Sequence, residues 1–213
     1  EPRLLQGHSE HIFGIRFSPD GRSLVTCSQD GTARVFATDG SAAPVVLQGH
    51  NERVFCAAFS PDGKKVVTGS RDRTARVFST DGSGEPVVLR GHEAQIFSVA
   101  FSPDGLHVVT GSVDKTARIF PVDGHSAAVV LRGHSQTVSA ACFSPDARYV
   151  FTGSQDMTIR RFLIDPAALK EALWHATCDC LPIADRRELL GESLADAQLG
   201  HAQAQAEVTR RQA

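Results

Sequence analysis

The sequence predicts an all-β fold for residues 1–163, a β-propeller segment of four blades, each a four-stranded antiparallel sheet. A short α-helical tail is expected over residues 164–213. Three observations carry this. The pair Gly-His recurs at Gly7-His8, Gly49-His50, Gly91-His92 and Gly133-His134, which fixes a period of 42 residues. Ser-Pro-Asp keeps the same period at 18–20, 60–62, 102–104 and 144–146. Asp165-Pro166 then replaces the Asp-Gly pairs found at 39–40, 81–82 and 123–124, and the periodicity stops. A repeat of this length is one supersecondary unit that buries its apolar faces only against its neighbours.

The stretch from Pro86 to Gly124 shows how one unit encodes a sheet. Pro86-Val87-Val88-Leu89 is a short apolar run that ends at Arg90-Gly91-His92. Ile96 to Phe101 has strand composition, and Ser102-Pro103-Asp104-Gly105 supplies a tight turn. Val108 to Ser112 is a further run, Thr116 to Phe120 another, and Asp123-Gly124 turns the chain again. Proline presets φ at the second turn position and glycine accepts positive φ, so these are hairpin turns with a mechanism. Four β-rich runs joined by turns make one antiparallel sheet per period, and such sheets in series make a propeller.

The two ends are read the same way. Pro2-Arg3-Leu4-Leu5-Gln6 aligns with Pro44-Val45-Val46-Leu47-Gln48, so the chain is expected to begin with an outer strand. The fourth unit has three strand-like runs and no outer one. At the tail, Asp165 is a good N-cap and Pro166 suits the first helical position. Ala167 to Ala176 has helix-forming composition, Pro182 starts a second expected helix closed by Gly191, and Ser193 caps a third that Gly200 weakens.

With these motifs in register four times, residues 2–163 resemble WD40 repeats in the bacterial style, with Ser-Pro-Asp turns. The family usually closes its third strand with Trp-Asp. Here the pairs are Phe36-Ala37, Phe78-Ser79, Phe120-Pro121 and Phe162-Leu163. The resemblance implies a structural hydrogen-bonding network at His8, Thr26 and Asp30; His50, Thr68 and Asp72; His92, Thr110 and Asp114; and His134, Thr152 and Asp156. Phenylalanine keeps the ring but lacks the indole N–H, so each blade is expected to lose one bond of roughly 0.5–1.5 kcal/mol. The stretch from Leu173 to Pro182, followed by Leu189-Leu190-Gly191-Glu192, looks like tails of bacterial multidomain WD proteins. In those architectures the propeller often follows a protein kinase or an NTPase.

His8, Ser28 and Asp30 are the residue types of a nucleophilic triad. The set is repeated four times at one spacing, whereas a catalytic site needs one copy, so it is read as scaffolding. His175, Cys178 and Cys180 offer three soft ligands where a structural zinc takes four, so no metal and no cofactor is expected. The recurrent Arg34, Arg76, Arg118 and Arg160 stand two residues before each phenylalanine. They are expected to lay their stems along the blade with their heads paired locally.

The repeats disagree at a few positions, and in the WD family these lie on the top rim where partner contacts concentrate. After Gly-His the variable triplets end at His11, Arg53, Gln95 and Thr137. The residue before the turn aspartate is Gln29, Arg71, Val113 or Gln155. Early in the first strand come Phe13, Phe55, Phe97 and Ser139. These residues are either a contact surface for a protein or peptide or strand core with drifting loops. Arg53 and Arg71 would anchor an acidic or polar partner.

Composition narrows the function classes. With 22 basic and 24 acidic side chains there is no basic excess to neutralise nucleic-acid phosphates. No apolar run approaches the roughly 18 residues of a membrane span. Five cysteines, two of them only two apart, do not form a disulfide framework, which favours a reducing cytoplasm. WD-like blades usually close in rings of about seven or eight, so the expectation is the C-terminal part of a longer protein. The runner-up is two chains completing one ring. The expected function is a non-catalytic interaction scaffold of bacterial signalling or regulation, or alternatively the regulatory part of an enzyme.

Overall fold

A computed structural model describes residues 4–164, which form 15 strands in four antiparallel sheets. The first sheet contains β1 (Ile12–Phe17), β2 (Ser23–Ser28), β3 (Ala33–Ala37) and β4 (Val45–Leu47). The second contains β5 (Val54–Phe59), β6 (Lys65–Ser70), β7 (Ala75–Ser79) and β8 (Val87–Leu89). The third contains β9 (Ile96–Phe101), β10 (His107–Ser112), β11 (Ala117–Pro121) and β12 (Val129–Leu131). The fourth has three strands, β13 (Val138–Phe143), β14 (Tyr149–Ser154) and β15 (Ile159–Leu163). Spatial order equals chain order in every sheet, so each is a meander. All four belong to one compact unit, Glu1–Phe162.

The Ser-Pro-Asp turn explains its own recurrence. Ser18 Oγ donates to the Asp20 carboxylate at 2.6 Å and accepts the Ser23 N–H at 2.9 Å. Asp20 also accepts the Arg22 N–H at 3.0 Å. The same three bonds recur at Ser60 and Asp62, at Ser102 and Asp104, and at Ser144 and Asp146. Each hairpin therefore satisfies its buried turn groups from within.

Sheets pack face to face through repeated positions. Val25, Ala33, Val35 and Leu47 of the first sheet form one apolar cluster with Val66 and Phe78 of the second. Val67, Ala75, Val77 and Leu89 of the second repeat this against Ile96, Val99, Val108 and Phe120 of the third. At the third joint Ser98 Oγ also accepts the Ala141 N–H at 3.0 Å. The first sheet's other face has no such cover among the described residues: Ile12, Ile15 and Phe17 are 55%, 53% and 68% exposed. Val54, Ile96 and Val138, which occupy the Ile12 position in later sheets, are fully buried.

The fold expected from sequence needs correction at both ends. The fourth sheet is three-stranded, as the lack of an outer run in the fourth unit implied, so the description of every blade as four-stranded is corrected. Leu4 to Gly7 is not a strand, and Leu4 is exposed. A three-residue outer strand is held only by a third strand beside it, as Val45–Leu47 is by Ala33–Val35. Leu4–Gln6 has no such neighbour among the described residues. Nor is there any helix among the described residues, so the described fold is all-β and gives the expected helical tail no support. Of the expected tail, 164–213, residues 165–213 lie outside the described residues.

A candidate partner-binding rim and the network beneath it

Each repeat holds its histidine at both ring nitrogens. His8 Nδ1 lies 2.8 Å from Asp30 and Nε2 lies 2.7 Å from Thr26 Oγ1. The distances at His50, Asp72 and Thr68 are the same. At His92 they are 2.6 Å to Asp114 and 2.7 Å to Thr110, and at His134 they are 2.8 Å to Asp156 and 2.7 Å to Thr152. A neutral imidazole that donates from Nδ1 to the carboxylate and accepts the threonine hydroxyl at Nε2 satisfies both nitrogens. The His8 ring also lies 6.5 Å, centroid to centroid, from Phe36, so the apolar ring packs on a network that closes without an indole donor.

The carboxylates organise the turns around them. Asp30 accepts the Thr32 hydroxyl at 2.6 Å, the Thr32 N–H at 2.9 Å and the Ser9 N–H at 3.2 Å. Burial pushes the Asp30 carboxyl up, but the hydrogen bonds from Thr32 and His8 outweigh it and hold it below the ordinary range. Asp72 and Asp114 follow the same balance, with His50 and His92 as the largest opposing donors. At Asp156 the Thr158 hydroxyl is the main cause. Thr32, Thr74, Thr116 and Thr158 were not among the residues singled out from sequence. Their signal was there, since they keep the 42-residue period.

Hydroxyl, imidazole and carboxylate do line up here, but through Thr26 rather than Ser28. Ser28 Oγ instead accepts the Asp30 N–H and donates to the Glu10 carbonyl. Thr68 and Thr110 have no exposed surface, and Thr26 and Thr152 are buried, so none is open to a substrate carbonyl. The recurrent arginines close the underside of the network. The Arg34, Arg76, Arg118 and Arg160 guanidinium groups lie so close to Gly7, Gly49, Gly91 and Gly133 that a Cβ would come within 2.9 Å of Nη1. At Gly49, Gly91 and Gly133 the backbone itself favours glycine, with φ of 141°, 140° and 132°. The heads are not fully paired: Nε of Arg34, Arg76 and Arg118 is buried with no hydrogen-bond partner in the protein.

Above this network the variable positions come together in pairs. The Gln29 N–H donates to the His11 carbonyl, Arg71 to Arg53, Val113 to Gln95 and Gln155 to Thr137, at 2.8 to 3.0 Å. Arg53 is exposed, while Arg71 Nε is 3.1 Å from Glu52, so the two arginines are not equivalent. Phe13, Phe55 and Phe97 lie side by side across β1, β5 and β9, with ring centroids 5.2 and 4.8 Å apart. Each stands at a β-bulge, where the register with the second strand shifts. A bulge re-aims the extra side chain, and here it sends the rings out of the inter-sheet core. Phe13 is 44% exposed, and Ser139 ends the row on β13.

No group of three or more metal-ligating side chains occurs among the described residues. His175, Cys178 and Cys180 lie outside them. Burial pushes the Cys27 thiol up to about 11 and raises the Cys56 thiol further, so neither is poised as a nucleophile or ligand.

The chain is similar over short stretches to Coronin-7 from Bos taurus, 44% identical over 45 residues, and from Rattus norvegicus, 42% identical over 45. Each alignment covers 21% of this chain and 5% of the relative, so the chain spans about one twentieth of those proteins' length. The family described as WD domain, G-beta repeat matches residues 2–36, 44–79, 85–120 and 124–162, well over half of the chain. Four matches in register, on four meander sheets each built over one His–Thr–Asp network, leave a single conclusion: this chain belongs to the WD40 repeat family.

Proposed function

We propose that the chain is a non-catalytic protein–protein interaction scaffold of a bacterial signalling or regulatory system, working in the cytoplasm without a cofactor. WD40 repeats are typical of interaction scaffolds. The row Phe13–Phe55–Phe97 carries the finer reading. Three rings aimed outward by three bulges form a continuous apolar strip, and aromatics and arginine are the residues that dominate binding energy at interfaces. Arg53, exposed beside the strip, selects a polar or acidic group on an otherwise apolar peptide segment. His11, Gln29, Gln95, Thr137 and Gln155 provide the adaptable polar edge, and Val113 an apolar position within it. The near-balanced charge supports a protein partner over nucleic acid. Free Cys27, Cys56 and Cys142 fit a reducing compartment. The uncovered Ile12, Ile15 and Phe17 support self-association as part of the same function.

The test is selection of peptides from a displayed library on the intact chain. The selected peptides are expected to lose at least about tenfold in affinity against Phe55→Ser and Phe97→Ser, losses typical of interface anchors. Serine already stands at the equivalent Ser139, so this strand position is compatible with serine. Peptides that bind both variants as well as the parent would end the rim assignment.

A further inference from the structure

Two rows of side chains cross the rim from sheet to sheet. One is Phe13, Phe55 and Phe97, ending at Ser139. The other stands two residues earlier in each unit: His11, Arg53, Gln95 and Thr137. The backbone carbonyls of this second row are taken by the N–H groups of Gln29, Arg71, Val113 and Gln155. Its side chains make no hydrogen bond or ion pair among the described residues. All four can donate, and Arg53 can only donate.

A row of rings beside a row of unspent donors discriminates among ligand backbones. A helix satisfies its own carbonyls and leaves the donors idle. A β-strand sets alternate side chains about 7 Å apart on one face, longer than the ring steps of 5.2 and 4.8 Å. Polyproline II has no internal hydrogen bonds, so its carbonyls need donors, and its prolines bring no N–H of their own. Its rise is about 3.1 Å per residue with three residues per turn, so prolines three apart share one face about 9 Å from each other. The two steps from Phe13 through Phe55 to Phe97 cover that span.

Charge and composition then name the occupant. Arg71 is engaged by Glu52, whereas Arg53 is exposed and stands two residues before the middle ring, so a carboxylate between the two prolines complements it. The sequence holds 10 prolines, and no two of them lie within three residues of each other, after residue 164 or anywhere else. Neither the residues beyond 164 nor a second copy therefore supplies such a segment. We propose that the rim binds a proline-rich, acidic segment of a partner protein in the polyproline II conformation. Prolines three apart sit on Phe13 and Phe97, and His11, Gln95 and Thr137 donate to the segment's carbonyls. Arg53 takes an intervening glutamate or aspartate. The ligand arrives already extended, so little conformational freedom is lost on binding. This rests on the rim being the binding surface and adds the class of ligand.

The experiment titrates the full 213-residue chain into three fluorescein-labelled peptides and reads anisotropy. The peptides are threefold repeats of Pro-Pro-Glu, Pro-Pro-Lys and Ala-Ala-Glu. The Pro-Pro-Glu peptide is expected to bind at least about tenfold more tightly than Ala-Ala-Glu, a ratio typical of lost interface anchors. It should bind about threefold more tightly than Pro-Pro-Lys, the size of an exposed charge-pair effect. Arg53→Gln, at an exposed side chain, should remove the preference for glutamate over lysine and keep the preference for proline over alanine. Phe55→Ser should weaken binding at least about tenfold. No binding of the Pro-Pro-Glu peptide, equal binding of Ala-Ala-Glu, or a charge preference that survives Arg53→Gln would overturn the proposal. Library peptides that lose affinity on Phe55→Ser while the Pro-Pro-Glu peptide does not bind would overturn it and leave the rim reading standing. Library and Pro-Pro-Glu peptides that both ignore Phe55→Ser would end both.

Discussion

The histidine of each repeat is the residue on which the turn chemistry converges, because both its nitrogens are committed to side chains from different strands and loops. Replacing Thr68 by valine keeps the shape and removes the hydroxyl, which leaves His50 Nε2 buried without its partner. An unsatisfied buried group costs about 1–3 kcal/mol, and urea unfolding of Thr68→Val should show a loss of that size. The aspartates make the fold acid-sensitive, and the sign follows from their direction. Asp30, Asp72, Asp114 and Asp156 all titrate below their ordinary value in the fold, so the unfolded chain binds more protons on acidification. Their contribution is complete above the unfolded carboxylate value of about 4 and is lost as pH falls through the lower folded values. Thermal melts should drop as pH falls below about 4, with a shallower drop in Asp72→Asn. A midpoint unchanged down to about pH 3 would remove the network from the stability account.

Elements were legible where a motif repeats and obscure where a neighbour decides. The sequence run Ile96–Phe101 is β9, and Val87–Leu89 falls within the run read from Pro86. Glycine, proline and aspartate mark those boundaries by their own backbone chemistry. The bulges at Phe13, Phe55 and Phe97 left no comparable mark. An aromatic residue near a strand start reads equally as core or surface until the register with the second strand is known. Leu4–Gln6 has the composition of an outer strand and is not one, because pairing is a property of two segments. Ile12 and Val54 make the same point: the residue types are interchangeable, and only the presence of a covering sheet separates exposed from buried. The four-fold network was readable as a set of spacings, but its second hydroxyl, on Thr32 and its repeats, shows its purpose only through the 2.6 Å contact to aspartate.

At the scale of the whole molecule the four sheets form a series whose joints repeat, and the two ends of the series differ. The first sheet presents Ile12, Ile15 and Phe17 in the pattern that the later sheets bury. Light scattering of the purified chain should therefore show a concentration-dependent dimer or higher species, and the double variant Ile12→Asp, Phe17→Asp should be monomeric. A parent chain that stays monomeric at high concentration would rule out this face as a contact. The repetition of the joints also bears on the gene. Because the first sheet's Val25, Ala33 and Val35 would meet the same kind of surface on the third sheet as on the second, losing or duplicating one 42-residue unit leaves every joint chemically intact. Gain or loss of one encoded unit can lengthen or shorten this array without rebuilding an interface. The fourth unit departs from that pattern, because Phe151, Ile159 and Arg161 stand exposed where the first sheet buries Val25, Ala33 and Val35.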